Sequence, residues 1–178
     1  RDLSLEDLWS EIGYVPQRAF LFGGSVESNL QFGDLSASKD KMWEALEVAQ
    51  AKKFVGELPE NLSSSVAQGG TNFSGGQKQR LSIARALIKN AQIYLFDDSF
   101  SALDYSTDAK LRAALHQSYS QSNLIVVAQR VSTILEADQI IVLDNGKIVG
   151  IGTHKDLMDS CQIYKEIVNS QLSPEAAA

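Results

Sequence analysis

The run Ile93-Tyr94-Leu95-Phe96 stops abruptly at Asp97-Asp98-Ser99, and no other stretch narrows the fold so far. A short, continuous apolar run bounded by turn formers is the pattern of a buried parallel strand. Leu124 to Ala128 repeats that pattern and predicts a second buried strand. Helical stretches lie between the strands, so the chain reads as an α/β fold with a mostly parallel sheet and an antiparallel edge. The paired carboxylates then fall at the carboxyl end of a strand, where α/β sheets bind ligands. The plain alternative is a strand stopped by turn-forming Asp and Ser.

The rest of the chain is consistent with this frame. Leu5 to Trp9 reads as the end of a helix, and Ile12 to Val15 as a short strand closed by Pro16. From Ser25 to Leu58 the pattern is helical, with Val26, Leu30, Met42, Leu46 and Val48 as expected core positions. Asn61 to Thr71 is rich in Ser and Gly and reads as loop. A helix opens at Ser74 and runs to Asn90, and another spans about Thr107 to Gln117. Ile140 to Leu143 and Lys147 to Ile151 flank Asp144-Asn145-Gly146, a tight hairpin signal. Two helices close the chain, and Ser173 to Ala178 reads as a tail.

Composition sets outer limits. With 178 residues, 44% hydrophobic and 21% charged, the chain suits one domain or a large piece of one. A net charge of −6 without a basic stripe offers nucleic acid no electrostatic footprint. No apolar run reaches the length that spans a bilayer. Cys161 is the only cysteine, so no internal disulfide forms and a reducing compartment is favoured.

Four clusters carry chemistry. Tyr14-Val15-Pro16-Gln17 ends a strand on an amide side chain, which alone is only a polar strand end. Ser74-Gly75-Gly76-Gln77 opens a helix, where free N–H groups and the dipole favour an anion. Serine is a good helix cap by itself, but two glycines in a first turn cost about 1 kcal/mol each, which capping does not explain. Asp97-Asp98-Ser99 is followed by Ser101-Ala102-Leu103-Asp104. One of the two carboxylates can hold Mg²⁺ and its neighbour can orient a water. The fourth cluster is Ala128-Gln129-Arg130, and Gln129 taken alone says nothing.

Together and in this order, the clusters resemble the nucleotide-binding domain of ATP-binding-cassette (ABC) transporters, over about Asp2 to Val168. The resemblance implies a P-loop NTPase-like cassette over residues 1–172, with a helical signature subdomain at about 25–90. It makes Gln17 the Q-loop residue, which contacts the membrane domain, and Ser74, Gly75, Gly76 and Gln77 the signature that meets a partner's ATP. It makes Asp97 the Walker B carboxylate, with Asp97 and Gln17 as the metal contacts. Ser101, Ala102, Leu103 and Asp104 become the D-loop, and Gln129 the switch residue. ATP and Mg²⁺ are the implied cofactors. Leu21 to Val26 with Asn29-Leu30, and Gln129 to Ile134, are similar to the exporter subtype. That implies a transmembrane domain as partner and a place at the cytoplasmic face of the plasma membrane.

Three features depart from the family pattern. No Gly-x-x-x-x-Gly-Lys-Ser/Thr occurs. The phosphate-binding loop and the N-terminal β subdomain are expected upstream of Gln17, so these residues alone are not expected to cradle ATP or hydrolyse it. Without that loop's strand, Ile93 to Phe96 is expected to expose apolar surface. Asp98 stands where the family has a catalytic glutamate, shorter in reach by about 1.5 Å. Gln129 stands where it has a histidine, and an amide neither carries the imidazole's charge nor shuttles its proton. The two catalytic positions, Asp98 and Gln129, therefore predict a weakened site. With an intact signature, they point to one half of a heterodimeric multidrug-type exporter. The alternative is a nucleotide-gated regulatory module with little hydrolysis. A soluble cassette acting on chromosomes or ribosomes is disfavoured by the charge and by the short Gln17-to-Ser74 interval.

Overall fold

A computed structural model describes residues 4–171. The expected domain end at 172, the tail over 173–178 and the Asp2 start of the resemblance lie outside the described residues. Tertiary contacts divide the chain into two compact units, one up to Val127 and the other from Ala128.

The first unit opens with α1 (Leu5–Ser10) and β1 (Ile12–Val15). Next come β2 (Gly24–Ser25), α2 (Val26–Gln31), α3 (Lys39–Val48), α4 (Lys52–Gly56) and β3 (Ser65–Val66). The unit is completed by α5 (Gly75–Ile88), β4 (Ile93–Asp97), α6 (Tyr105–Ser118) and β5 (Asn123–Val127). The sheet order is β1-β4-β5, parallel throughout, with Val15 opposite Phe96 and Phe96 opposite Val126. Helix starts are set by local chemistry, since Ser4, Ser25, Ser38, Ser74 and Asp104 each accept a backbone N–H of their own first turn.

Helix α5 runs through the middle of the core. Leu81, Ile83, Ala84, Leu87 and Ile88 are buried on it, against Leu30, Met42 and Leu46 from the smaller helices. Each large aliphatic side chain buried in this way contributes about 1.5–3 kcal/mol. The single helical stretch expected from Ser25 to Leu58 is three helices, broken at residues 32–38 and 49–51. The first break has a steric cause: a Cβ on Gly33 would lie 2.1 Å from the Arg85 carbonyl oxygen, so only glycine lets the chain pass α5 there. Val48 packs beside the core but is only half-buried. The expected loop at 61–71 contains two short 3₁₀ turns and β3, which pairs antiparallel with β2.

Two burial expectations are corrected. Strand β4 exposes little apolar surface: it is central in the sheet, with Tyr94 and Phe96 fully buried and Ile93 and Leu95 half-buried. Within this sheet apolar side chains are exposed on β5 instead, where Leu124, Ile125 and Val127 are 36%, 51% and 50% exposed. Leu124 to Val127 is thus a strand but not a buried one. Among the described residues it stands at the sheet edge, with β4 as its one partner strand.

The second unit contains β6 (Ile140–Asp144), β7 (Lys147–Gly152), α7 (His154–Ser160) and α8 (Gln162–Gln171). The antiparallel hairpin turns at Asn145 and Gly146, with φ of 47° and 75°, the left-handed pair that a tight two-residue turn requires. Its core is Val131, Ile140, Val142, Leu157, Cys161, Tyr164 and Val168.

Candidate functional site

Strand β4 delivers Asp97 and Asp98 to its carboxyl end, beside the end of β1 that carries Gln17. The Gln17 amide Nε2 donates to Asp98 Oδ2 at 3.3 Å, and the Tyr14 hydroxyl donates to Asp97 Oδ2 at 3.3 Å. Partial desolvation and the neighbouring Asp97 carboxylate push the Tyr14 phenol above its ordinary pKa. Asp98 is buried, and its backbone N–H donates to the Val127 carbonyl of β5 at 3.0 Å. It adopts φ of 45°, left-handed backbone in which Asp is among the few tolerated non-glycine residues. Ser99 is fully buried and donates its hydroxyl to the Val15 carbonyl at 3.0 Å, locking the turn onto β1. Ser101 Oγ donates back to the Asp98 carbonyl at 2.8 Å.

A second constellation forms at the start of α5. Ser74 and Gln77 make a reciprocal capping box: Ser74 Oγ accepts from Gln77 N–H at 3.3 Å, and Gln77 Oε1 from Ser74 N–H at 2.9 Å. The first-turn N–H groups of Gly75 and Gly76 fall outside the intrahelical ladder. The two glycines differ in what surrounds them. A Cβ on Gly76 would contact the Ala102 carbonyl oxygen at 3.5 Å, whereas one on Gly75 would meet nothing within 4 Å. Ala102 and Leu103 therefore pass beside the helix start, with Leu103 buried. Asp104 caps α6 through Thr107, and those hydrogen bonds hold its carboxyl below the usual range.

Two side chains of α5 tie this end to its surroundings. Buried Gln79 makes a long 3.5 Å contact to the Pro16 carbonyl, next to Gln17. Arg80 lies 4.9 Å over the Phe54 ring and donates to the Gln50 carbonyl at 3.0 Å. Burial lowers the Arg80 pKa, with Asp104 opposing.

Gln17, Asp97, Asp98 and Ser101 are thus gathered at one strand end, and Ser74 to Gln77 with Ala102 and Leu103 at one helix start. Gln129 belongs to the second unit; its side chain is exposed, and its carbonyl accepts from Gln171 Nε2 at 2.8 Å. Sequence reasoning missed Gln79, the Tyr14 hydroxyl and Gln171. Tyr14 and Ser99 lay inside quoted motifs, but nothing local signals Gln171, whose partners are 40 and 42 residues away.

The donor chemistry suits a hard divalent cation. Asp97 and Gln17 offer oxygen ligands, and Mg²⁺ keeps several waters and phosphate oxygens in its shell. Among the described residues no group of three or more His, Cys, Asp or Glu side chains converges, so such an ion would take its remaining ligands from water or phosphate.

A parallel α/β sheet with carboxylates at a strand end and an open, glycine-lined helix start defines a nucleotide-binding type of domain. The sequence profile described as ABC transporter matches residues 2–101. The chain belongs to the ABC transporter family. It is 53% identical over 174 residues to an uncharacterized ABC transporter ATP-binding protein of Mycobacterium tuberculosis, covering 96% of this chain and 30% of that protein. It is 39% identical over 170 residues to the ATP-dependent lipid A-core flippase of Francisella novicida, covering 95% of this chain and 29% of that one. Among solved structures, a bacterial Atm1-family ABC exporter with ATP bound matches with a TM-score of 0.92 and 34% identity, over 96% of this chain and 30% of the exporter. The chain thus spans about 30% of the length of the relatives it matches.

Proposed function

We propose that these residues form part of the ATP-driven motor of an ABC exporter, whose own nucleotide site binds more than it hydrolyses. The observation that carries this reading is the strand end itself, where Asp97 and Asp98 stand in succession and the Gln17 amide donates to Asp98 at 3.3 Å. ATP, when bound with Mg²⁺, supplies the γ-phosphoryl group whose transfer to water releases the driving free energy. Asp97 and Gln17 would hold the cation through oxygen. Asp98 accepts a hydrogen bond from water, but its carboxylate is short and already engaged by the Gln17 amide. Gln129 donates its amide to a phosphate oxygen and takes up no proton. Ser74, with the first-turn N–H groups of Gly75 and Gly76, serves the ATP of a second half-transporter, and residues 101–104 lie alongside.

In this reading residues 1–172 are one partial cassette with a helical subdomain at about 25–90. The cassette works at the cytoplasmic face of the membrane, coupled through the Gln17 region to a transmembrane domain. Among the described residues no helix is long and apolar enough to cross a membrane. The intact signature beside a weakened site supports a heterodimer of the multidrug-export type.

The test uses full-length protein. Assembled from copies of itself, it should bind MgATP and hydrolyse it slowly; with the matching half-transporter it should turn over at ordinary rates. Ordinary turnover by the self-assembly defeats the weakened-site reading, and failure to bind MgATP in either assembly defeats the functional reading. Asp98 and Gln129 also favour a second reading, a nucleotide-gated regulatory module. Single-turnover measurements decide between them: a motor releases phosphate with each cycle of the paired assembly, whereas a regulatory module retains ATP.

A further inference from the structure

Gln171, in the last described turn of α8, turns its side-chain amide onto the segment that carries Gln129. Its Oε1 accepts from the Val131 N–H at 2.9 Å, and its Nε2 donates to the Gln129 carbonyl at 2.8 Å. One donor and one acceptor thus engage residues two apart, the pattern by which a residue in a parallel strand bridges its neighbour. The segment needs such a partner. Val131 opens a 3₁₀ turn over Val131–Thr133, and Arg130 at its N-cap provides no side-chain cap bond. The first N–H of such a turn has no internal acceptor. Gln171 supplies that acceptor from 40 residues away.

The helix that carries the glutamine is well anchored, although Gln171 itself is exposed. Three residues before it, on the same helical face, Val168 is fully buried, and Tyr164 is 2% exposed. Both pack in one cluster with Val131, Ile140, Val142 and Leu157. The clamp therefore joins a fixed helix to an extended segment, with Arg130 at φ −96° and ψ 122°. Holding the Gln129 carbonyl and the Val131 amide fixes the peptide planes on both sides of Arg130, the first of which also bounds Gln129 on its carboxyl side and so limits how its backbone can turn.

We infer that Gln171 is a positioning residue for the switch segment, so that the C-terminal helix helps set how this chain distinguishes ATP from ADP. The inference rests on Gln129 meeting the γ-phosphate, as proposed above. Gln171 touches no nucleotide in this scheme and acts through Gln129.

The test uses the full-length protein with Gln171→Met, which keeps length but neither hydrogen bond, and Gln171→Glu, which keeps only the acceptor. In nucleotide-free protein, Gln171→Met should speed amide hydrogen exchange at Val131 by about 5-fold, the loss expected for one ordinary hydrogen bond, while Gln171→Glu stays near wild type. Both variants should lower ATP affinity by about 3- to 10-fold and leave ADP affinity unchanged, because ADP has no γ-phosphate for Gln129. In a Gln129→Ala background, Gln171→Met should leave the ATP-to-ADP ratio unchanged. Parallel losses of ATP and ADP affinity, or an undiminished effect of Gln171→Met in the Gln129→Ala background, would mean general destabilisation and overturn the inference. An unchanged Val131 exchange rate overturns the clamp whatever the nucleotide does. Wild-type protein without preference for ATP over ADP defeats the functional reading instead, so the two failures are separable.

Discussion

The two halves of the candidate site are built by opposite means. The helix start at Ser74 is closed by residues three apart, through a capping box local in sequence. The strand end at Asp98 is assembled by contacts spanning 81 to 84 residues: Tyr14 to Asp97, Gln17 to Asp98 and Ser99 to Val15. Local hydrogen bonds give the first end a shape that survives changes elsewhere. The second end exists only while β1 and β4 stay in register. In the proposed function the helix start serves another subunit's nucleotide, and that use would gain from such robustness. A site that changes with its nucleotide draws on contacts that can be broken and remade.

The contrast can be broken most severely at Gly75. Gly75→Leu should reduce ATP turnover of the paired full-length assembly by about 100- to 1,000-fold, as loss of a preorganised anion site does. The thermal midpoint should stay level or rise, since a Cβ there meets nothing within 4 Å. A fall in the midpoint would show that the glycine serves packing rather than a ligand. Next in size, the double substitution Asp98→Glu with Gln129→His should raise turnover by the self-assembled protein by about 100-fold; no gain would remove the case for a weakened site.

Stability measurements sharpen the same comparison. Ser99→Ala leaves the Val15 carbonyl without its donor and should cost about 1–3 kcal/mol in urea unfolding. Ser74→Ala removes a cap and should cost about 1 kcal/mol, with the loss confined to the start of α5 by hydrogen exchange. If Ser74→Ala proves the more damaging, the local end is not the self-sufficient one. The smallest effect lies at Asp34, whose carboxyl is lowered from 3.8 to about 2 by hydrogen bonds from Lys41 and then Ser36. A depressed folded-state pKa stabilises above the unfolded value and is lost as pH falls through the folded one. Asp34→Asn should therefore flatten the decline in urea midpoint between about pH 4 and pH 2 and change nothing near neutrality.

What was legible in the sequence follows the same division. The helix start, the Asn145-Gly146 hairpin and the strand at Ile93 to Phe96 each depend on neighbours in the chain, and each lies where expected. The breaks in the 25–58 stretch were not legible, because Gly33 answers to the Arg85 carbonyl of a distant helix. The exposure of β5 was missed for a related reason: Leu124 to Val127 has the composition of a buried strand, and burial is decided by what packs on it. At the site, motif order placed Gln17, Asp97 and Asp98. Their hydrogen bonds, and the hold of Gln171 on Gln129, come from folding alone.

The left-handed backbone at residue 98 ties the length of its side chain to the shape of its turn. At φ 45°, glycine is at ease and Asn and Asp are tolerated, whereas the glutamate that the family pattern carries here bears more of the strain. In a substitution library scored by cellular abundance, Asp98→Gly and Asp98→Asn would survive well and Asp98→Glu would be depleted. Scored by phosphate release, the order would invert. A screen for folded protein would thus discard a replacement that the proposed function counts as part of the repair.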